Sequence, residues 1–241
     1  MNKLFKQEYI LRTSDFDKFN HIKSSSVLDL FQDAAGRHAE EIGVGYDAML
    51  ERSFFWVLIK IKFRIIKEPA FHQRVVVKTW PLAPNKFVYR REYSIENEDG
   101  EKLIIGSSEW VVMNSIKRRL VSAPDLYPFT DGFHPERNFE ERLDRLDEFE
   151  TDIPPYSITP GFSEIDANGH VNNTKYANFV FDAINPEESL QTDIFQIDYK
   201  KEVMQGTNLN IYHTKNENAI LAEGRDDEGN VMFSCKISYK E

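Results

Sequence analysis

The chain has 241 residues, of which 41% are hydrophobic, including 18 Phe and 10 Tyr. That is enough for one large domain or two of about 120 residues with a substantial core. The net charge of −10 argues against a general nucleic-acid binder, and the single cysteine excludes an internal disulfide framework or a Cys-rich metal site.

A polar loop around His21 leads into the first amphipathic segment. Val27, Phe31, Ala34, Ala35, His38 and Ile42 fall on one stripe at helical spacing, with Ser24 or Ser25 as the expected N-cap. His38 on that stripe is expected to be a satisfied core histidine. Strand-like runs follow. Ile59, Ile61, Phe63 and Ile65 alternate with Lys60, Lys62 and Arg64, a period of two. Further runs cover 75–80 (ended by Pro81 and Pro84), 87–96 with a turn signal at 97–100, and 102–114. Residues 122–157 form a connector, with prolines at 124, 128, 135, 154 and 155 and an acidic stretch at 138–152. A short polar helix is expected over 139–149.

Beyond the connector comes the densest polar chemistry of the chain. Asp166, Asn168, Gly169, His170, Asn172 and Asn173 fall within eight residues, and an apolar stripe of Tyr176, Phe179, Val180, Ala183 and Ile184 begins at once. The spacing predicts a helix over 173–184 capped by Asn172 or Asn173. Exposed N–H groups at its start would favour developing negative charge, and a His with an Asp beside them could polarise a carbonyl and activate water. Asp166 is the expected orienter of the His170 ring. Short strands are expected at 195–203, 209–214 and 219–225. After a turn at 226–229 comes a last strand with Val231, Phe233, Cys235, Ile237 and Tyr239 on one face. Cys235 there reads as inert packing.

The motif occurs twice. At a constant offset of 149, Ser14, Asp17, His21, Asp33 and Ala34 meet Ser163, Asp166, His170, Asp182 and Ala183. Asn168 meets Phe19, so the first copy has lost its amide. It is expected to be a degenerate half in which His21 is structural. Each half reads as strand, helix, then antiparallel strands, which would bury the apolar faces of both.

This combination resembles the acyl-acyl-carrier-protein thioesterases of plants and bacteria. The resemblance rests on the run from Asp166 to Tyr176, its degenerate first copy, the strand blocks, and Tyr199-Lys200-Lys201-Glu202-Val203. It implies an α+β chain of two tandem hotdog folds, each a long helix wrapped by a curved antiparallel sheet, forming an intrachain pseudo-dimer. The first unit would span 1–121, the linker 122–157 and the second unit 158–241. The implied activity is hydrolysis of a fatty acyl thioester on acyl carrier protein, without cofactor or metal. The motif carries the family's catalytic roles onto Asp166, Asn168, His170 and Glu202. Glu202 shares parity with Asp198 and Lys200, so only a bulge or strand end would re-aim it from a solvated face. Plant members have a cysteine right after that Glu. Here Val203 stands there, so water rather than a thiol is the expected nucleophile.

Asn172, Asn173 and Tyr176 are expected to contact substrate beside the catalytic loop, with Phe31 and Trp56 of the first half lining an acyl pocket. An acyl-coenzyme A thioesterase and a non-catalytic acyl-thioester binder are the alternatives. The intact set of Asp166, Asn168 and His170 favours an enzyme over a binder, which has no need of an activated water. The partner implied is the carrier protein, met by a basic patch drawn from Lys117, Arg118 and Arg119, from Lys60, Lys62 and Arg64, or from Lys200 and Lys201. No nucleic acid and no membrane span are expected, the compartment is expected to be cytoplasmic, and a further homodimer is left open.

Overall fold

The computed structural model describes residues 3–122, 125–129, 131–140, 142–186, 189–216 and 219–240. In the first half, β1 (Phe5–Ile10) and a one-turn 3-10 segment precede α1 (Ser24–Glu41) and the short α2 (Tyr46–Glu51). Then come β2 (Phe54–Ile65), β3 (Arg74–Pro81), β4 (Val88–Glu96), β5 (Lys102–Asn114) and β6 (Arg119–Val121). In the second half, β7 (Tyr156–Ile158) and another 3-10 turn lead to α3 (Lys175–Ile184). It continues with β8 (Thr192–Tyr199), β9 (Leu209–Lys215), β10 (Ala219–Arg225) and β11 (Val231–Tyr239).

All the strands join one antiparallel sheet in the order β1-β3-β4-β5-β2-β8-β11-β10-β9-β7, with β6 on β5. The order is palindromic. Two copies of one strand-helix-meander unit meet where β2 pairs with β8, with Ile61 opposite Ile197 and Phe63 opposite Phe195. The two Phe rings stack at 5.2 Å. This is the tandem hotdog arrangement, with one correction: only α1 is long. It has 18 residues against 10 for α3.

The expected stripe of α1 is buried. Phe31 lies wholly inside, stacked on Tyr93 and edge-on to Phe63. Full burial of such a ring stabilises by roughly 2–3 kcal/mol. Gly106 of β5 makes room for it, because a Cβ there would stand 2.3 Å from Phe31 Cε2. His38 is fully buried, with Nδ1 3.0 Å from Arg91. The caps differ from expectation. Lys23 is the N-cap of α1 and Thr174 that of α3, and neither uses its own side chain.

The connector is structural. Among its described residues no helix forms over 139–149 (Glu141 lies outside them, as does Pro124). Instead, Leu143 and Leu146 are buried, and Lys60 Nζ and Gln196 Nε2 both donate to the Asp144 carbonyl at 2.9 and 2.8 Å. A carbonyl that a helix would satisfy internally is thus committed to β2 and β8. The connector also ends early: Tyr156 and Ser157, placed in it by sequence, belong to β7 and pair with β9. No helix among the described residues is long and apolar enough to cross a membrane.

Candidate active site

The motif loop folds around Asp166. Its Oδ1 accepts the backbone N–H groups of Asn168 at 2.8 Å and His170 at 3.4 Å, and the Asp166 N–H donates to the His170 carbonyl at 2.8 Å. Asn and Asp favour such side-chain-closed turns. Gly169 takes φ +81°, a left-handed conformation that glycine adopts without strain. The expected pairing of Asp166 with the His170 ring does not occur, because its carboxylate is committed to the loop backbone. The ring meets Glu202 instead, with Nε2 3.3 Å from Oε2.

Glu202 reaches the ring because β8 has ended. The Lys200 and Lys201 N–H groups both donate to the Met232 carbonyl, which breaks the ladder after Tyr199. The chain then turns so that the Val203 carbonyl accepts the Val171 N–H at 2.8 Å and Met204 bridges to His170. The His170 and Glu202 side chains are both partly exposed, at 27% and 40%, so the pair is open to solvent. Arg118, on the turn between β5 and β6, approaches Glu202 Oε2 at 3.8 Å. Asn168 is exposed, and its Nδ2 donates one N–H to Asp166 Oδ2 at 3.4 Å, which leaves the second N–H of the amide for a ligand.

The start of α3 is less free than the sequence suggests. Asn172 Oδ1 accepts from the Thr174 N–H at 3.0 Å, and the Asn172 carbonyl accepts from the Lys175 N–H at 2.9 Å. These donors are therefore spent. Asn173 gives its carbonyl to the Tyr199 hydroxyl at 2.7 Å. Tyr176 is buried against Tyr199 and Phe233, and burial pushes its hydroxyl pKa well up. It is a core residue packed behind the site.

Asn173 and Thr174 open onto a narrow crevice whose other walls are Leu28 and Gln32 of α1, Leu58 and Ile61 of β2, Tyr93, Trp110 and Tyr199. The first half therefore does supply apolar walls beside the loop of the second. The walls are not the ones expected. Phe31 is sealed behind Tyr93, and Trp56 packs in a separate aromatic cluster with Tyr89 and Tyr127, its Nε1 bonded to the Val44 carbonyl at 2.9 Å. Leu58 and Trp110 went unnoticed because strand alternation gives a buried face but not which part of it stays unfilled. Cys235 is 2% exposed, and burial pushes its thiol pKa well above the usual range. A thiolate nucleophile is thereby disfavoured. No cluster of His, Cys, Asp and Glu that could hold a metal occurs among the described residues.

The degenerate copy lies in the first half. There the Asp17 N–H donates to the His21 carbonyl at 2.8 Å, and Asp17 Oδ1 takes the N–H groups of Phe19 and His21. Sequence comparison overlooked one further member. Four residues beyond both Glu68 and Glu202 comes a left-handed residue, His72 or Gly206, whose N–H donates to the preceding strand segment at Leu11 or Pro160. Glu68 is thus the counterpart of Glu202. The shared Lys-Glu pair at 67–68 and 201–202 was the available signal, hidden by the different helix lengths of the two halves.

Known proteins match at every level. The model of the acyl-ACP thioesterase N-terminal domain covers residues 2–127, and that of the acyl-ACP thioesterase C-terminal domain covers 151–241. The chain is 28% identical over 214 residues to the chloroplastic acyl-[acyl-carrier-protein] hydrolase FATB2 of Cuphea viscosissima, covering 83% of this chain and 52% of that protein. It is 26% identical over 271 residues to the chloroplastic oleoyl-acyl carrier protein thioesterase of Coriandrum sativum, covering 97% and 73%. The chain thus spans about half the length of several curated relatives that it matches. An acyl-ACP thioesterase from Bacteroides thetaiotaomicron superposes with a TM-score of 0.88 at 21% identity, covering 99% and 98% of the two chains. The 12:0-ACP thioesterase of Umbellularia californica superposes with 0.85 at 22%, covering 100% and 98%. With both domain models matched in order across the palindromic sheet, the chain belongs to the acyl-ACP thioesterase family.

Proposed function

We propose that the protein hydrolyses fatty acyl thioesters on acyl carrier protein, releasing free fatty acid and the carrier's thiol. The observation that carries this reading is the His170–Glu202 pair: His170 is on the same loop as Asn173 and Thr174, which border an apolar crevice walled largely by the other half. The acyl chain would lie against the first unit (1–121) and the thioester against the second (158–241, extended to β7), with 122–157 joining them. Water is the nucleophile. His170 and Glu202 together take its proton as it attacks the thioester carbon. The Asn168 amide donates to the carbonyl oxygen as charge develops there. The intermediate then collapses, the carbon–sulfur bond breaks, and the proton passes to the leaving thiolate. Asp166 acts by fixing the loop that carries Asn168 and His170.

The carrier would dock on the turn between β5 and β6, where Lys117, Arg118 and Arg119 are exposed. The alternative strand face is occupied: Lys60 pairs with Asp198, Lys62 with Asp144 and Arg64 with Asp193. Acyl carrier proteins are typically acidic, so a local basic patch on this acidic chain supplies the complementarity. A chain whose one cysteine is a buried free thiol suits a reducing cytoplasm.

The test is release of fatty acid from one acyl chain presented on acyl carrier protein and on coenzyme A. The expected result is faster release from the protein carrier and loss of release in His170→Ala. Preference for coenzyme A would make the protein an acyl-CoA thioesterase. Binding without release from either would make it a thioester-binding protein.

A further inference from the structure

Among the described residues, the Glu202 carboxylate is within ion-pair reach of two groups. His170 Nε2 lies 3.3 Å away and Arg118 Nη2 3.8 Å away, and both approach the same oxygen, Oε2. The second contact comes from the other half of the protein. Arg118 sits on the turn between β5 and β6 with φ +49°, a left-handed conformation that a residue with a Cβ adopts only at a cost. The turn is braced to impose it. Asn114 Oδ1 accepts the N–H groups of Ile116 at 3.1 Å and Lys117 at 2.7 Å, and the Asn114 carbonyl accepts the Arg118 N–H at 2.9 Å. The Ser115 N–H and hydroxyl both donate to the Ser53 carbonyl, at 2.8 and 3.2 Å. A fixed turn therefore carries the guanidinium across to the second half. Of the three basic residues on the turn, only Arg118 reaches a carboxylate among the described residues.

We propose that Arg118 is a positioning residue for Glu202. It holds Oε2 toward the His170 ring, where the carboxylate would otherwise turn out to solvent. The first half then supplies part of the chemistry of the second, as well as apolar walls. Both partners of the pair are exposed, so solvent screening keeps the effect modest. The proposal rests on the thioesterase reading for its reaction, but the contact between Glu202 and His170 can be followed without turnover.

Hydrolysis of a small carrier-free acyl thioester would be measured on the wild type, Arg118→Gly, Arg118→Lys, Glu202→Gln and the Arg118→Gly, Glu202→Gln double variant. The ring-nitrogen NMR signals of His170 would be followed in the same proteins carrying isotope-labelled histidine, and identified by their loss in His170→Ala. Glycine suits a positive φ, so Arg118→Gly should melt no lower than the wild type. Its kcat should fall by roughly fivefold at unchanged KM, the size of an exposed ion pair. Its His170 signals should move toward their positions in Glu202→Gln. Arg118→Lys keeps the charge at a single, unforked contact and should recover most of the loss. In the Glu202→Gln background the glycine change should cost nothing further. A loss confined to KM, an equal loss in that background, or His170 signals that stay in place would overturn the positioning role. Signals that move in a protein that hydrolyses no thioester would refute the proposed reaction and leave the hold of Arg118 on Glu202 standing. Hydrolysis with kcat and signals unchanged in Arg118→Gly would do the reverse.

Discussion

Asp17 closes the loop before His21 as Asp166 closes the loop before His170, and the two backbones agree bond for bond. The difference lies in what satisfies the next N–H. In the second loop the Val171 N–H is taken by the Val203 carbonyl, which leaves the Glu202 carboxylate free to face the histidine. In the first, the equivalent Ile22 N–H is taken by Glu68 Oε1 at 2.5 Å, and Glu68 Oε2 also accepts from Gln191. Both carboxylate oxygens there hold the fold. His21 is left with Nδ1 buried and unpartnered among the described residues and Nε2 3.4 Å from Ser189 Oγ. The presence of Asp, His and Glu therefore does not make a site. A backbone carbonyl must first relieve the carboxylate of its structural duty.

The sharpest way to break this comparison is to remove each histidine. His170→Ala is expected to lower thioester turnover by ~10²–10⁴-fold, while His21→Ala keeps most of it. Equal losses at unchanged melting temperature would make the first loop catalytic as well. Adding Phe19→Asn to His170→Ala should restore nothing, since Glu68 stays bound to Ile22, and recovered turnover would show that the amide alone separates the copies.

A smaller effect is expected where the first half reaches toward the second loop. Changing Lys117 and Arg119 to Glu, with Arg118 left beside Glu202, should slow hydrolysis of the carrier-borne substrate by roughly tenfold at low salt and flatten its salt dependence. A small carrier-free thioester should be hardly affected. Matching losses on both substrates would place docking elsewhere. The smallest effect is expected at Cys235. Cys235→Ser should retain most activity at a stability cost of about 1–3 kcal/mol for a buried hydroxyl. Because burial raises the thiol pKa, little thiolate exists at neutral pH, and thiol-blocking reagents should react slowly with the folded protein. A trapped acyl-cysteine would refute the water mechanism.

Much of this was legible in the sequence. Periodicity found α1, and the runs at 102–114 and 219–225 match β5 and β10 residue for residue. The repeat found both loops because side-chain-closed turns leave a spaced signature of Asp, Asn and His. What stayed hidden depends on long-range partners. Nothing local tells that Asp144 offers its carbonyl to Lys60 and Gln196 instead of to a helix, or that Asn172 uses up the donors at the start of α3. Nor does a strand pattern show that Phe31 lies behind Tyr93 and not in front of it.

The seam between β2 and β8 bears on how such a protein can change over generations. In a dimer of identical chains, a contact at one end of a two-fold interface must recur at the other, and any substitution strikes both sites at once. Here Lys60 pairs with Asp198 at one end, whereas the symmetry-related position joins Arg64 to Ile194. Arg64 finds Asp193 instead. Covalent fusion has uncoupled the two ends, so each half could be altered separately. One histidine loop could then be given over to the scaffold while the other kept its chemistry.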